Sequence, residues 1–208
     1  MASTRLSSDL QHSPPDTRWG FYVYRTTYED QDLWERFIEY VKHAVMSSLQ
    51  PRYDNTSESE VLRYQTLRES FQLVIRENIE WNNLTLWEMR EIFDPPGSAA
   101  ADQPEPIKWL SCGVDRWYFI YVNKKILMNF KAVDCSRQTP TPNYFDEGIA
   151  VIVVHTQPEW RQYDEDDAGK EWQYVCVYWL SHFYGLIYRD SEGWFTLFVK
   201  PPRKWDGY

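Results

Sequence analysis

Two short segments with apolar side chains on both faces constrain the fold of this chain more than any other feature. The first, Trp19–Arg25 (WGFYVYR), places Phe and Val on one face and two Tyr on the other. The second, Ile149–His155 (IAVIVVH), is apolar up to its final histidine. Successive side chains of a strand point to opposite faces, so a strand that is apolar on both faces must be covered on both. We therefore predict that the first strand is covered on both sides and that the second is a central strand.

Amphipathic periodicity and capping signals predict three helices. The clearest runs over Asp30–Leu49, where apolar residues recur at i, i+3 and i+4; Asp30 can cap its start and Pro51 limits its end. A Ser-x-x-Glu capping box at Ser57 predicts a second helix to about Glu69. A Thr-x-x-Glu box at Thr85 predicts a third, short helix over LWEMREIF.

Alternating and apolar runs complete a prediction of an α+β fold. Further strands are expected at Phe71–Arg76, Trp117–Val122, Gln173–Trp179 and Trp194–Val199, and short helices at Asn123–Lys131 and Ser181–Tyr188. Strict βαβ alternation is missing, which favours a mixed or largely antiparallel sheet of about six strands with helices mainly on one face. We expect a single domain over residues 19–202, a disordered tail over 1–18 and a C-terminal tail over 203–208.

Composition and missing motifs exclude several function classes. The net charge is −9, which opposes non-specific binding to nucleic acid or anionic membranes. Only three cysteines are present, without a CxxC pair, so neither a disulfide framework nor a zinc site is expected. Phosphate-binding glycine motifs and the GxSxG elbow are missing from the sequence. We predict a cytoplasmic protein that uses no metal or cofactor and has no membrane segment, while its oligomeric state stays open.

Aromatic residues are abundant, with 11 Trp, 15 Tyr and 10 Phe in 208 residues, and several stand beside carboxylates. A carboxylate framed by rings suits a guanidinium or ammonium group. The alternative is that the rings form the core and the acids are solvated. The acids next to rings are Asp115, Asp134, Glu147, Glu159 and Glu171. His155, at the end of the predicted central strand, is the histidine best placed for acid–base work.

Six segments together resemble a family of small proteins of filamentous fungi, and the resemblance spans nearly the whole chain. The segments are RWGFYVYRTTY, LWERFIEYV, FQLVIREN, LWEMREIF, WYFIYVNKK and WFTLFVKPP. Through this group the chain resembles the fungal arginine-containing cyclodipeptide synthases. That resemblance implies an enzyme that takes arginine from arginyl-tRNA, joins it to a second aminoacyl-tRNA and releases a cyclic dipeptide without ATP or metal.

On that reading the chemistry is acyl transfer between activated esters, helped by positioning and oxyanion stabilisation. The catalytic candidates are Tyr24, Arg25, His155 and Glu171. The substrate-binding candidates are Asp115, Trp117, Glu159 and Trp172, with Asp115 proposed for the guanidinium. A local basic patch would have to bind tRNA, and its candidates are Lys124, Lys125, Lys200, Arg203 and Lys204. The alternatives are a non-catalytic module with an aromatic and acidic recognition face, and a different small enzyme of secondary metabolism.

Overall fold

The computed structural model describes residues 2–50, 57–93, 117–136, 149–156, 171–188, 194, 196–201 and 203–205. Its helices are α1 (Ala2–Gln11), α2 (Gln31–Ser48), α3 (Glu58–Ser70), α4 (Leu86–Ile92), α5 (Lys124–Ser136) and α6 (Leu180–Ile187). Its strands are β1 (Trp19–Arg25), β2 (Phe71–Arg76), β3 (Tyr118–Val122), β4 (Ala150–His155), β5 (Trp172–Cys176) and β6 (Lys204–Trp205). Short 3-10 helices lie at Ile79–Trp81 and Val177–Trp179.

The described strands form one mixed sheet in the order β2-β1-β3-β4-β5-β6. β1 is parallel to both of its neighbours, β4 is antiparallel to β3 and β5, and the two-residue β6 is parallel to β5. Every residue of β1 and β4 is buried. The predicted α+β class, the mixed sheet and the interior positions of these two strands are therefore confirmed.

The contact between β1 and β2 depends on Gly20. Its φ is 144°, a conformation that residues with a side chain rarely adopt. A Cβ atom added at this position would overlap the backbone carbonyl of Gln72 in the paired strand. Glycine is thus required where the two parallel strands approach each other.

The helix signals in the sequence are confirmed. Asp30 caps α2, because its side chain accepts a hydrogen bond from the backbone N–H of Leu33. The capping boxes form at Ser57 with Glu60 and at Thr85 with Glu88. These signals succeed because caps and amphipathic stripes depend on residues within one or two turns.

The two faces of the sheet carry different layers. On one face, here called the helix face, Tyr184 of α6 contacts Trp19 and Phe21, and α2 packs beside it. On the opposite face, Tyr24 contacts Trp81 and Phe93, which flank α4. Most described helices therefore pack on one face, as predicted, and the rings fill the core. The largest fully buried side chains include Trp19, Trp194, Tyr184, Phe21, Phe37 and Phe119.

The prediction of a disordered tail over residues 1–18 is wrong. Ala2–Gln11 forms α1, which packs against α3 and α6. Leu6 and Leu10 are buried one turn apart, and the hydroxyl of Tyr188 donates to the carboxylate of Asp9 at 2.8 Å. A polar ten-residue segment has little intrinsic helicity, so tertiary packing stabilises this helix.

The C-terminal predictions also need correction. The expected strand Trp194–Val199 is not formed: Trp194, Thr196 and Leu197 are helical, and residues 198–200 have no regular structure. The edge of the sheet is instead extended by β6, which lies in the predicted tail. The predicted strand Gln173–Trp179 ends at Cys176, where a 3-10 helix begins. A short apolar run fits a buried helical turn as well as a strand, so pattern alone could not separate them.

Candidate functional site

The carboxyl ends of β1 and β3 form a topological switch point. From β1 the chain passes through α2 on the helix face to reach β2, and then past α4 on the opposite face to reach β3. In open sheets with parallel strands, ligands bind in the crevice outside the carboxyl ends where the chain reverses in this way. The residues that follow β1, β2 and β3 therefore form the candidate site. We call this region the carboxyl edge.

Arg25, the last residue of β1, is the buried centre of the carboxyl edge. Its Nε donates to the backbone oxygen of Thr27 at 2.6 Å. Its Nη1 donates to Gln31 Oε1 at 2.7 Å and to Glu77 Oε1 at 2.8 Å. The Arg25 side chain is only 3% exposed, whereas that of Glu77 is 42% exposed. One arginine thus ties together the ends of β1 and β2 and the start of α2.

Two rings enclose the guanidinium group of Arg25. Its Cζ lies 4.5 Å from the ring centre of Tyr28 and 4.9 Å from that of Trp34. Among the described residues, Nη2 of Arg25 has no hydrogen-bond partner although it is buried. The two rings and the Glu77 carboxylate therefore surround the guanidinium group of Arg25. Aromatic faces and an acidic side chain are a favourable environment for such a group.

Tyr28 and Asp30 fix the loop that leaves β1. The Tyr28 hydroxyl donates to the backbone oxygen of Arg25 at 3.1 Å and accepts from the N–H of Asn78 at 2.8 Å. Burial raises the pKa of Tyr28, and the Asn78 hydrogen bond and the Arg25 charge oppose that rise. The hydrogen bond from the Leu33 N–H lowers the pKa of Asp30, and Lys131 adds to this effect. Both groups keep their usual neutral-pH charge states.

Lysines of α5 complete the carboxyl edge. Lys124 pairs with Glu29 at 2.7 Å, and Lys131 pairs with Asp30 at 3.4 Å. Lys124 and Lys125 are both exposed. Of the residues proposed to bind tRNA, these two therefore lie beside Arg25, at the end of the adjacent strand. The edge combines exposed carboxylates with exposed ammonium groups.

The other proposed tRNA-binding residues form a second group. Lys200, Arg203 and Lys204 are exposed near the far edge of the sheet. In the strand register Lys204 is level with Tyr174 and so with Tyr121 of β3. Three strand spacings separate β3 from β6, which is about 14 Å. The five predicted basic residues therefore belong to two groups rather than one patch.

Tyr24 lies on the opposite face from Arg25 and is 5% exposed. Its ring contacts Trp81, Phe93 and Phe119 at centroid distances of 5.4, 5.8 and 5.1 Å. These contacts make Tyr24 part of the aromatic packing between the sheet and the α4 region. The structure does not bring it to the guanidinium of its neighbour.

His155 lies near the other end of the sheet. It is 2% exposed and lies between the rings of Tyr118, at 4.7 Å, and Trp194, at 5.4 Å. The register places it four residue positions and two strands from Arg25, which is roughly 16 Å between Cα atoms. His155 and Arg25 therefore cannot act on the same small substrate atom.

Glu171 adjoins His155 through the backbone, but its side chain is used elsewhere. Its backbone oxygen accepts from the His155 N–H at 2.8 Å. Its carboxylate pairs with Arg90 of α4 at 3.1 Å, and the Arg90 guanidinium lies 5.3 Å from the ring centre of Trp87. This repeats the arrangement at Arg25: a ring and a carboxylate hold an arginine of the chain itself.

The remaining substrate-binding candidates do not converge on one pocket in the described structure. Trp117 is half-buried, and its backbone oxygen accepts from the N–H of Thr156 at 2.8 Å. Trp172 is half-buried and makes an edge contact with Tyr174. Asp115 and Glu159 lie outside the described residues. No convergent guanidinium pocket is formed by the candidates that the structure describes.

Sequence reasoning missed Gln31, Tyr28, Trp34 and Glu77, which hold Arg25. A signal for Glu77 was present, since it directly follows β2 just as Thr26 follows β1. The ends of two adjacent parallel strands meet at one edge, so an arginine at one end and a glutamate at the other are natural partners. The rings could not be found in this way, because their positions depend on how α2 folds back.

Comparison with known proteins gives no identity. No protein-family model, curated protein or solved structure matches this chain. Within the described ranges, no helix is long and apolar enough to cross a bilayer. The same part of the chain contains no cluster of three or more metal-ligating side chains. The features that bear on function are therefore the carboxyl edge and the sequence resemblance.

Proposed function

We propose that the protein is an aminoacyl-tRNA-dependent aminoacyltransferase that makes arginine-containing cyclic dipeptides, with the carboxyl edge as its substrate site. One observation supports this location of the substrate site. Glu77 is fixed through Oε1 by the buried Arg25, while its Oε2 has no hydrogen-bond partner among the described residues. A half-exposed, immobilised carboxylate at a switch point is suited to a substrate guanidinium or ammonium group. The reaction itself is taken from the resemblance to the fungal cyclodipeptide synthases.

The neighbouring lysines support the tRNA part of the proposal. Lys124 and Lys125 are exposed at the carboxyl edge, where Glu77 also lies, and can contact phosphates of a tRNA 3′ end. The amine of one aminoacyl group attacks the ester carbonyl of the other and releases a tRNA hydroxyl. The free amine of the resulting dipeptide then attacks the ester that still joins it to the second tRNA. This step closes the ring and releases the second tRNA. Both bonds are made from activated esters, so positioning supplies much of the catalysis.

A non-catalytic binding module is the second candidate, and a specific observation favours it. Tyr24, His155 and Glu171 lie on different faces or at different ends of the sheet from Arg25. Two arginines of the chain already occupy ring-and-carboxylate sites. If the protein is such a binding module, the carboxyl edge binds a cationic ligand and catalyses no reaction on it.

Expression in a bacterial host followed by mass spectrometry of the medium tests the enzyme proposal. We expect arginine-containing cyclic dipeptides that an empty vector does not give. Glu77→Gln should reduce them at least about tenfold, because a neutral amide loses the charge attraction for guanidinium. The control Glu39→Gln removes an exposed carboxylate of α2 whose only ion pair within the described residues is with Lys42, and it should leave the yield unchanged.

The outcomes separate the two candidates. A soluble, folded wild-type protein that gives no cyclic dipeptide contradicts the enzyme proposal. If calorimetry then detects arginine binding that Glu77→Gln weakens and Glu39→Gln does not, the binding module is supported. If arginine does not bind either, the carboxyl edge is not a site for this ligand.

A further inference from the structure

The two outer edges of the described sheet are protected to different degrees. β2 and β6 lie at the two ends of the strand order. β6 is only two residues long and begins with Lys204, and short or lysine-bearing edges resist pairing with another chain. β2 has six residues, contains no proline, glycine or lysine, and pairs with β1 at every position. Of these two edges, β2 is therefore the one that can pair further.

The backbone of β2 can accept another strand. Within the described ranges, its hydrogen bonds across the sheet go to β1 alone. Five of its six residues are half-buried rather than buried. Alternate N–H and C=O groups of an edge strand point away from the sheet, and another strand can add to them. β2 thus presents an open template for strand addition.

The side chains of β2 specify the kind of strand that fits beside it. Phe71, Leu73 and Ile75 lie on the helix face, where Phe71 contacts the ring of Trp19 at 4.9 Å. A partner strand must therefore carry apolar side chains at alternate positions on the same face. In a folded partner, only an edge strand has backbone groups that are still unpaired. β2 of a second copy of the chain meets both requirements.

An antiparallel copy of β2 matches this strand when a two-fold axis passes through Leu73. Phe71 then lies opposite Ile75 of the second copy, and Leu73 lies opposite its own equivalent. An aromatic ring opposite a β-branched side chain is a favourable pair across two strands. The apolar side chains of the helix face therefore continue from one copy into the other.

The charges at the ends of β2 favour the antiparallel direction. Arg76 ends the strand, and the exposed Glu69 lies just before its start. In the antiparallel pair each Arg76 comes beside Glu69 of the other copy, whereas a parallel pair would place the two Arg76 side chains together. Glu77 comes to the same end, but its charge is already paired with Arg25 at 2.8 Å. Each end of the antiparallel pair thus combines charges of both signs.

We propose that β2 pairs antiparallel with β2 of a second copy, so that the protein forms a two-fold dimer with one sheet continuous across both chains. The pairing uses the long edge of each chain, so assembly stops at two chains. One pair of strands makes a smaller contact than the interface of an obligate dimer, so we expect a dissociation constant of roughly 10 µM. Neither the proposed transferase reaction nor the carboxyl edge is needed for this pairing.

Analytical ultracentrifugation over a range of concentrations tests the proposal. At about 200 µM the mass should approach twice the 25.1 kDa of one chain, and at about 1 µM it should be that of one chain. Val74→Lys places a lysine on the half-buried edge strand and should weaken the dimer at least about tenfold. Val61→Lys, the same change at an exposed position of α3, is the control and should leave the dimer unchanged. Circular dichroism checks that both variants fold.

Hydrogen exchange shows which surface forms the contact. Amides of β2 should exchange more slowly at the higher concentration in the wild type, but not in Val74→Lys. A wild type that stays monomeric at the higher concentration overturns the proposal, as does a dimer that Val74→Lys does not weaken. It is also overturned if larger assemblies form, or if dimerisation leaves the exchange of β2 unchanged, which would place the contact on another face. Protection of β2 in a monomer that copurifies with a peptide overturns it as well, because the edge would then have a different occupant.

Discussion

Arg25 is the residue at which three elements meet. Its side chain donates hydrogen bonds to the loop after β1, to the start of α2 and to the residue that follows β2. The partly exposed Glu77 can be hydrated if the pair is broken, but the buried guanidinium cannot. The arginine therefore contributes to stability as well as to the geometry of the carboxyl edge.

The first prediction concerns this arginine. Arg25→Lys keeps the charge but removes the planar fork that reaches Thr27, Gln31 and Glu77 together. We expect a loss of about 2 kcal/mol or more in the free energy of unfolding, measured by urea denaturation. Arg203→Lys, at an exposed site, should stay within about 0.5 kcal/mol of the wild type. If the two variants are equally stable, the Arg25 cluster does not stabilise the fold.

The second prediction concerns the pH dependence that Asp30 contributes. Its hydrogen bond from Leu33 lowers the folded-state pKa. The resulting stability is present above the unfolded-state pKa, at about pH 4, and is lost as the pH falls through the lower folded value. Asp30→Asn keeps an acceptor for the Leu33 N–H but does not ionise. Denaturation at several pH values should show the wild type more stable than this variant at neutral pH, with the difference shrinking in acid. A difference that does not change with pH would contradict this account.

At the scale of elements, capping and periodicity predicted helices and strands that form locally, but they did not predict elements that depend on distant contacts. The bounds of β1 and β2 agree with the prediction, and α2 differs by one residue at each end. The caps at Asp30, Ser57 and Thr85 form as predicted. In contrast, α1 and β6 were missed, because one depends on burial against α3 and α6 and the other on pairing with β5. No local pattern encodes those distant partners.

The third prediction concerns the β1–β2 contact. Gly20→Ala introduces a Cβ that overlaps the Gln72 carbonyl and a φ that alanine disfavours. We expect a loss of at least about 3 kcal/mol, because backbone atoms of a paired strand cannot move aside as a flexible side chain does. Thermal unfolding followed by circular dichroism measures the loss. The control Gly185→Ala lies in the helical backbone of α6, which accepts alanine, and should keep the fold. A stable Gly20→Ala protein would show that the strands do not approach as described.

At the scale of the whole molecule, charge limits the proposed tRNA binding. The chain carries −9 overall, and its candidate basic residues lie in two groups. Any binding must therefore be local and sensitive to salt. If tRNA binds as proposed, the net negative charge of the chain opposes contacts beyond these basic residues.

The fourth prediction is the size of this salt effect. If Lys124, Lys125, Lys200, Arg203 and Lys204 all contact phosphates, raising salt from about 50 to 200 mM should weaken tRNA binding by roughly 100-fold. Fluorescence anisotropy with labelled tRNA measures it. The double variant Lys124→Glu, Lys125→Glu should weaken binding and flatten the salt dependence. Reversing Lys42 of α2, which pairs with Glu39, is the control. If binding changes neither with salt nor in the double variant, these basic residues are excluded as the tRNA contact.

The abundance of rings beside carboxylates has a clear explanation only in three dimensions. The sequence predicted that a carboxylate beside a ring suits a guanidinium group. In the structure a carboxylate and a ring hold Arg25 and Arg90 of the chain itself, and Glu171 is the one predicted acid among these groups. Glu171 was expected at a catalytic site and instead pairs with Arg90. The sequence indicated that Glu171 suits a guanidinium group but not that this group belongs to Arg90, because pairing across elements depends on the sheet order.

By itself, the sequence determined the α+β class, the main helix with its caps, and the interior positions of β1 and β4. These follow from periodicity and capping, which act within a few residues. Only the tertiary structure decided that Arg25 lies at a switch point beside Glu77, that His155 is roughly 16 Å away, and that the Glu171 carboxylate pairs with Arg90. These features depend on strand order and on helix packing, where residues far apart in the chain meet, and no local pattern specifies such meetings.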